Sequence, residues 1–135
     1  MPDKVTTIKN GTGKFLKTRQ LSFGYAIDGL IHVIKTQQNA WVHLTVTILV
    51  LIVSAWLGLN RLEWAVILLI IAAVWMAEFL NTALEVIVDL ASPEKHPLAK
   101  IGKDVGAGAV LITAIVAVAI GLIILGPHLW DKLGY

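Results

Sequence analysis

The chain has 135 residues, of which 57% are hydrophobic and only 15% charged, with a mean hydropathy of +0.79. A water-soluble domain of this size carries about 25% charged residues, so water is not its main solvent, and the length allows one domain. With no cysteine, disulfides, thiolate metal sites and thiol nucleophiles are excluded.

Residues 1–13 read as a flexible basic tail. Within it Gly11-Thr12-Gly13-Lys14 has neither the spacing of a phosphate loop nor a strand before it. The first 40 residues hold no apolar run long enough for a secretory signal, so no cleavable leader is expected. Over about 14–38, Phe15, Phe23, Ile27, Leu30, Ile31 and Ile34 alternate with Lys17, Arg19, Asp28 and Lys35 at roughly helical spacing. A basic amphipathic helix ahead of an apolar run is expected to lie in a membrane interface.

Three apolar runs come next, near Leu44–Leu59, Trp64–Ala77 and Val105–Leu125. Each reaches the roughly 17–20 residues that cross a bilayer core, the first with its flank included and the second by running past Glu78. The expected spans are about 40–59, 63–90 and 104–126. Three buried helices of a soluble bundle are disfavoured, because no polar face remains for water. The turn Gly58-Leu59-Asn60-Arg61 separates the first two spans. Ser92-Pro93 and Gly126-Pro127 are expected to end the second and third, since a proline ring cannot continue a helix. Nine basic residues flank one side of these spans and two, Arg61 and Lys132, the other. The positive-inside rule therefore places the N-terminus and the Ser92–Lys103 loop in the cytoplasm.

The second span carries Glu78, Asn81, Glu85 and Asp89. These offsets fall within about 80° on a helix and form a stripe about 16 Å long. An acid inside a span costs about 2.5–3.5 kcal/mol at its centre and marks a functional site by default. A hydrogen-bonding stripe that glues helices is the plainer alternative, although four polar groups exceed what that needs. Across the loop, Lys100-Ile101-Gly102-Lys103-Asp104 leads into the third span, returning Lys103 and Asp104 beside the Glu85–Asp89 end. Carboxylates for a divalent cation, a lysine for phosphate and a base for a hydroxyl are the parts of phosphoryl transfer. Gly106 and Gly108 suit close helix packing. His32, His43, His96 and His128 have no metal-ligand spacing, and each alone reads as an interfacial residue.

The run Glu78-Phe79-Leu80-Asn81-Thr82-Ala83-Leu84-Glu85, with Val88-Asp89, resembles the signature of the small prokaryotic diacylglycerol kinase family, whose members phosphorylate diacylglycerol or undecaprenol. His96-Pro97-Leu98-Ala99-Lys100, Lys103-Asp104 and 107–111 resemble its second motif, and Gly24-Tyr25 and Gly29-Leu30 its N-terminal helix. The resemblance covers about residues 15–126. It implies an all-α membrane protein with an interfacial helix and three transmembrane helices, a homotrimer sharing active sites between neighbours, in a bacterial inner membrane. Expected partners are MgATP, a lipid alcohol and membrane lipids, and no nucleic acid. By the same resemblance Glu78 is the general base, and Glu85 holds Mg²⁺. Tyr25, His96, Lys103 and Asp104 contact ATP, and Asn81 and Asp89 support the site. Gln37 stands where the family usually has a second metal-binding glutamate, Thr18 where it has an arginine, and Trp41 where a basic residue is common. An amide offers magnesium an oxygen but no charge. Two other classes stay open: a proton or ion carrier using the carboxylates, which predicts no ATP dependence, and a catalytically inactive membrane subunit, which Gln37 favours. The branch preferring undecaprenol is the nearer match over Gln38–Leu44 and the His96–Lys100 motif.

Overall fold

A computed structural model describes residues 21–134, which form four helices. The tail over 1–13, Thr18 and the first part of the amphipathic segment lie outside the described residues. The helix over 21–36 is α1. After it come α2 (Gln38–Leu57), α3 (Arg61–Ala91) and α4 (Pro97–Lys132). No strand occurs among the described residues. α1 exposes Phe23, Ile27 and Leu30 and belongs to a compact unit separate from the one that begins at Gln37.

Local chemistry fixes the corners of the second unit. Gln37 has extended backbone, φ −98° and ψ 119°, and separates α1 from α2. Gly58 closes α2 at φ +76°, a left-handed conformation that costs an L side chain about 1–2 kcal/mol and glycine little. Asn60 then opens α3. Its side chain accepts from the backbone N–H groups of Leu62 and Glu63, while Glu63 accepts from Asn60 N. This reciprocal box satisfies donors a helix start would otherwise leave bare. α4 begins with Pro97 in its first turn, where no N–H is needed, and His96 Nδ1 accepts from Leu98 N.

α2, α3 and α4 have 20, 31 and 36 residues, and each is apolar and long enough to cross a membrane. α3 packs mainly on α4, and α2 touches both. Few apolar side chains are buried, among them Ile67, Val74 and Val110, whereas Leu69, Leu80, Leu111, Leu122 and many others lie open on the outside. That inversion is the surface of a multi-pass membrane protein, where lipid takes the place of water.

The helix that holds the expected third span, about 104–126, extends beyond it at both ends, and two expected helix ends need correction. Lys100, Lys103 and Asp104 lie inside α4, because the His96 cap and Pro97 start the helix seven residues before the apolar run that suggested position 104. The connection after α3 is correspondingly short, from Ser92 to His96. At the other end, Pro127 does not stop α4, which continues to Lys132. The ring forfeits one backbone bond near the end of the helix. Two contacts hold the turns beyond the proline: His128 Nε2 lies 3.0 Å from Glu63 Oε2, and Lys132 Nζ donates to Trp56 O at 3.3 Å.

Candidate active site

The four polar residues of α3 share one face, and their burial in the bundle falls along it. Glu78 is 1% exposed and Asn81 6%, Glu85 is partly buried, and the Asp89 side chain is 65% exposed. Each neighbouring helix supplies a partner for this face. From the start of α2, Gln37 Nε2 donates to Glu85 Oε2 at 3.2 Å, while Asn81 Nδ2 donates to Oε1 at 3.1 Å. Two amides thus grip one carboxylate beside the first turn of α2. From α4, Lys103 Nζ pairs with Asp89 Oδ1 at 2.5 Å. Lys100 pairs with Asp104 one turn along the same helix.

Close packing sets the spacing between α3 and α4. A Cβ on Gly106 would collide with Asn81 Oδ1, so glycine lets α4 approach the stripe at that level. Asn81 Oδ1 is buried and has no hydrogen-bond partner. Beyond the stripe, a groove of about 480 Å³ opens between the ends of α3 and α4. It is lined by Asp89, Lys95, His96, Lys100, Lys103 and Asp104, among others. Three lysines and three acids, Asp89, Glu94 and Asp104, line it beside the start of a long helix, so the groove is mixed in charge.

Among the described residues no three acids or histidines converge as a ready metal cage. Magnesium does not need one, because it is held by one or two carboxylates together with substrate phosphates and water. Glu85 supplies a carboxylate, and Asn81 Oδ1 is a buried acceptor without a partner. The donor set fits a magnesium ion that arrives on a nucleotide.

The sequence-derived residues Gln37, Asn81 and Glu85 therefore meet in one cluster, and Asp89, His96, Lys103 and Asp104 meet in the adjoining groove. His96 contributes to its helix start as a cap. Tyr25 lies on α1 and is exposed. Sequence reasoning missed His43. Instead of standing alone at an interface, it points from α2 toward Glu78, Nε2 to Oε2, at 3.7 Å. Trp75 presents its ring to His43 edge-on at 6.3 Å, stacks with Phe79 at 5.7 Å, and donates to Thr47 Oγ1 at 3.1 Å. A lone polar residue between Val42 and Leu44 at the head of an apolar helix was the available signal. Its partner lies on another helix, in a register that spacing along one helix does not give.

Three helices long and apolar enough to cross a membrane thus surround a carboxylate stripe, with a groove of lysines and acids at one end. Residues 24–125 match the family described as prokaryotic diacylglycerol kinase. The chain belongs to that family. It is similar to the undecaprenol kinase of Bacillus subtilis, with 38% identity over 121 residues covering 90% of this chain and 95% of that protein. It is also similar to a diacylglycerol kinase of Synechocystis sp., with 42% identity over 110 residues, 81% of this chain and 63% of the relative. The diacylglycerol kinase of Escherichia coli K12 is 35% identical over 81 residues, 60% of this chain and 66% of the relative.

Proposed function

We propose that this lipid kinase transfers the γ-phosphoryl group of ATP to a lipid alcohol at the cytoplasmic surface of a bacterial inner membrane. The observation that carries the reading is the α3 stripe, a buried Glu78 without a hydrogen bond leading through Asn81 and Glu85 to the groove that Lys95, Lys100 and Lys103 share with Asp89, Glu94 and Asp104. Glu78 takes the proton of the lipid hydroxyl. The oxygen then attacks the γ-phosphorus in line, and ADP leaves with the electron pair of the broken bond. Lys103, Asp104, His96 and Tyr25 contact the nucleotide, and Asn81 and Asp89 hold the stripe in place. Glu85 and Gln37 hold magnesium when MgATP binds. Bound there, magnesium would supply neutralising charge to the phosphates. The nine-to-two distribution of basic residues supports a cytoplasmic N-terminus and groove, with α1 in the interface. A homotrimer with shared sites is the assembly that accompanies this reading.

Undecaprenol is the first candidate acceptor, because the undecaprenol kinase relative aligns along nearly its whole length. Diacylglycerol is the second, favoured by the higher identity to a diacylglycerol kinase over a shorter span. The test is transfer from radiolabelled ATP into each lipid, offered separately to purified protein in mixed micelles with Mg²⁺. Label in undecaprenyl phosphate at the higher kcat/KM is expected. Preferential label in phosphatidate would reassign the substrate, and label in neither would sink the kinase reading.

A further inference from the structure

Glu85 is a carboxylate held by amides. Its Oε1 accepts from Asn81 Nδ2 at 3.1 Å and its Oε2 from Gln37 Nε2 at 3.2 Å. Both donors are neutral, and among the described residues no lysine, arginine or histidine forms an ion pair with Glu85. The acids nearest the groove are engaged as well: Asp89 pairs with Lys103, and Asp104 with Lys100. Glu78, about two turns deeper on α3, is only 1% exposed.

Gln37 reaches Glu85 because of the break it occupies. Its backbone is extended, and its side chain makes no cap to α2. Ala40, fully buried, seats the first turn of α2 against the bundle, so the amide is delivered from a fixed start. Facing a carboxylate oxygen, an amide presents its N–H edge, because its own oxygen is repelled there. Facing a cation it must present the oxygen. Half a turn about the terminal bond exchanges the two edges, which have nearly the same shape. Gln37 can therefore serve either partner from one place, but not both at once. While its N–H is on Oε2, a partly positive hydrogen lies against the oxygen that a cation would use. A lone carboxylate engaged in this way has little to offer a free magnesium ion, which sheds water reluctantly and is usually held together with substrate phosphates.

We propose that Gln37 is a gate on the metal site: its amide N–H holds Glu85 and keeps free divalent cations off when no nucleotide is present, and the same amide turns its oxygen inward when the ion comes carried on ATP. This rests on the reading of Glu85 as the metal-holding residue. The site then selects the metal–nucleotide complex over the free ion, and the protein keeps no resident metal between turnovers. A glutamate at position 37 would behave differently. Two carboxylates facing each other repel until a cation joins them, so that site would recruit the ion by itself.

The test measures bound metal directly, with Mn²⁺ as a paramagnetic probe that takes the same oxygen ligands as magnesium. Free Mn²⁺ is followed by electron paramagnetic resonance during titration of purified protein in detergent micelles, with and without a non-hydrolysable ATP analogue. The proteins are wild type, Gln37→Glu, Gln37→Leu and Glu85→Gln, each checked for folding by thermal melting. Without the analogue, wild type is expected to bind no more Mn²⁺ than Glu85→Gln does, whereas Gln37→Glu binds at least about tenfold more tightly. The melting temperature of metal-free Gln37→Glu should lie below that of wild type and recover with Mn²⁺. Wild type should not respond to the ion alone. With the analogue, Gln37→Leu, which has neither amide edge, is expected to bind the ion about tenfold more weakly than wild type. Free Mn²⁺ held by wild type and lost in Glu85→Gln would overturn the gate. So would a folded Gln37→Glu with no gain in metal binding, or Gln37→Leu with wild-type affinity beside the analogue. If Glu85→Gln matches wild type when the analogue is present, the metal assignment of Glu85 itself fails, whereas a loss there beside an unchanged Gln37→Leu removes the gate alone.

Discussion

The described residues contain two glutamate–histidine pairs, which differ in burial and in hydrogen bonding. Glu63 and His128 join the start of α3 to the last turns of α4. Glu63 Oε2 lies 3.0 Å from His128 Nε2 and accepts from Asn60 N at 2.8 Å. Both side chains are about a quarter exposed, at 24% and 30%. Glu78 and His43 are more deeply buried, farther apart at 3.7 Å, and unmatched by other groups. The residue types are the same, but the first pair has its hydrogen bonds made and the second does not. An unsatisfied buried polar group costs about 1–3 kcal/mol by protein mutational data. The bundle carries that cost at Glu78, the residue proposed above as the base.

The largest effect is expected from breaking the second pair. Glu78→Gln removes the carboxylate while keeping the shape, so phosphoryl transfer should fall about 1,000-fold or more. The melting temperature should not fall with it, because a buried unpaired acid is removed. Retained turnover in folded protein would erase the distinction between the pairs. Gly106→Ala tests the packing that sets the stripe: the new Cβ meets Asn81 Oδ1 and pushes the amide from Glu85. A stability loss of about 1–3 kcal/mol is expected, with a higher magnesium requirement in the kinase assay. The smallest effect belongs to the first pair. Asn60→Ala removes the cap that Glu63 completes and should lower stability by about 1 kcal/mol, while kcat stays at the wild-type value. A loss of activity there would mean that the far end of α3 is coupled to the chemistry.

The sequence carried the span count because apolar run length is a property of a single helix. It carried the Glu78–Asp89 stripe for the same reason, since offsets of 0, 3, 7 and 11 place residues on one face whatever they pack against. The Gln37 departure was readable by position, but its hydrogen bond to Glu85 depends on the break before α2, which spacing does not show. His43 was out of reach because its partner sits on another helix, and inter-helix register is set by contacts such as Gly106 against Asn81. The limits of α4 were misread because charge was taken for loop and proline for a stop. The His96-Pro97 start was the stronger signal at one end, and the contacts of His128 and Lys132 prevail over Pro127 at the other.

The three spans differ in how they fit a bilayer. At 1.5 Å per residue α2 measures about 30 Å, the thickness of a bilayer's hydrocarbon layer, whereas α3 and α4 overshoot it by about 16 and 24 Å. α2 alone has no slack. It exposes an indole near each end, Trp41 and Trp56, the side chain that seats at a lipid–water boundary. Of the three spans, α2 is therefore the one whose length leaves the least room for a change in bilayer thickness.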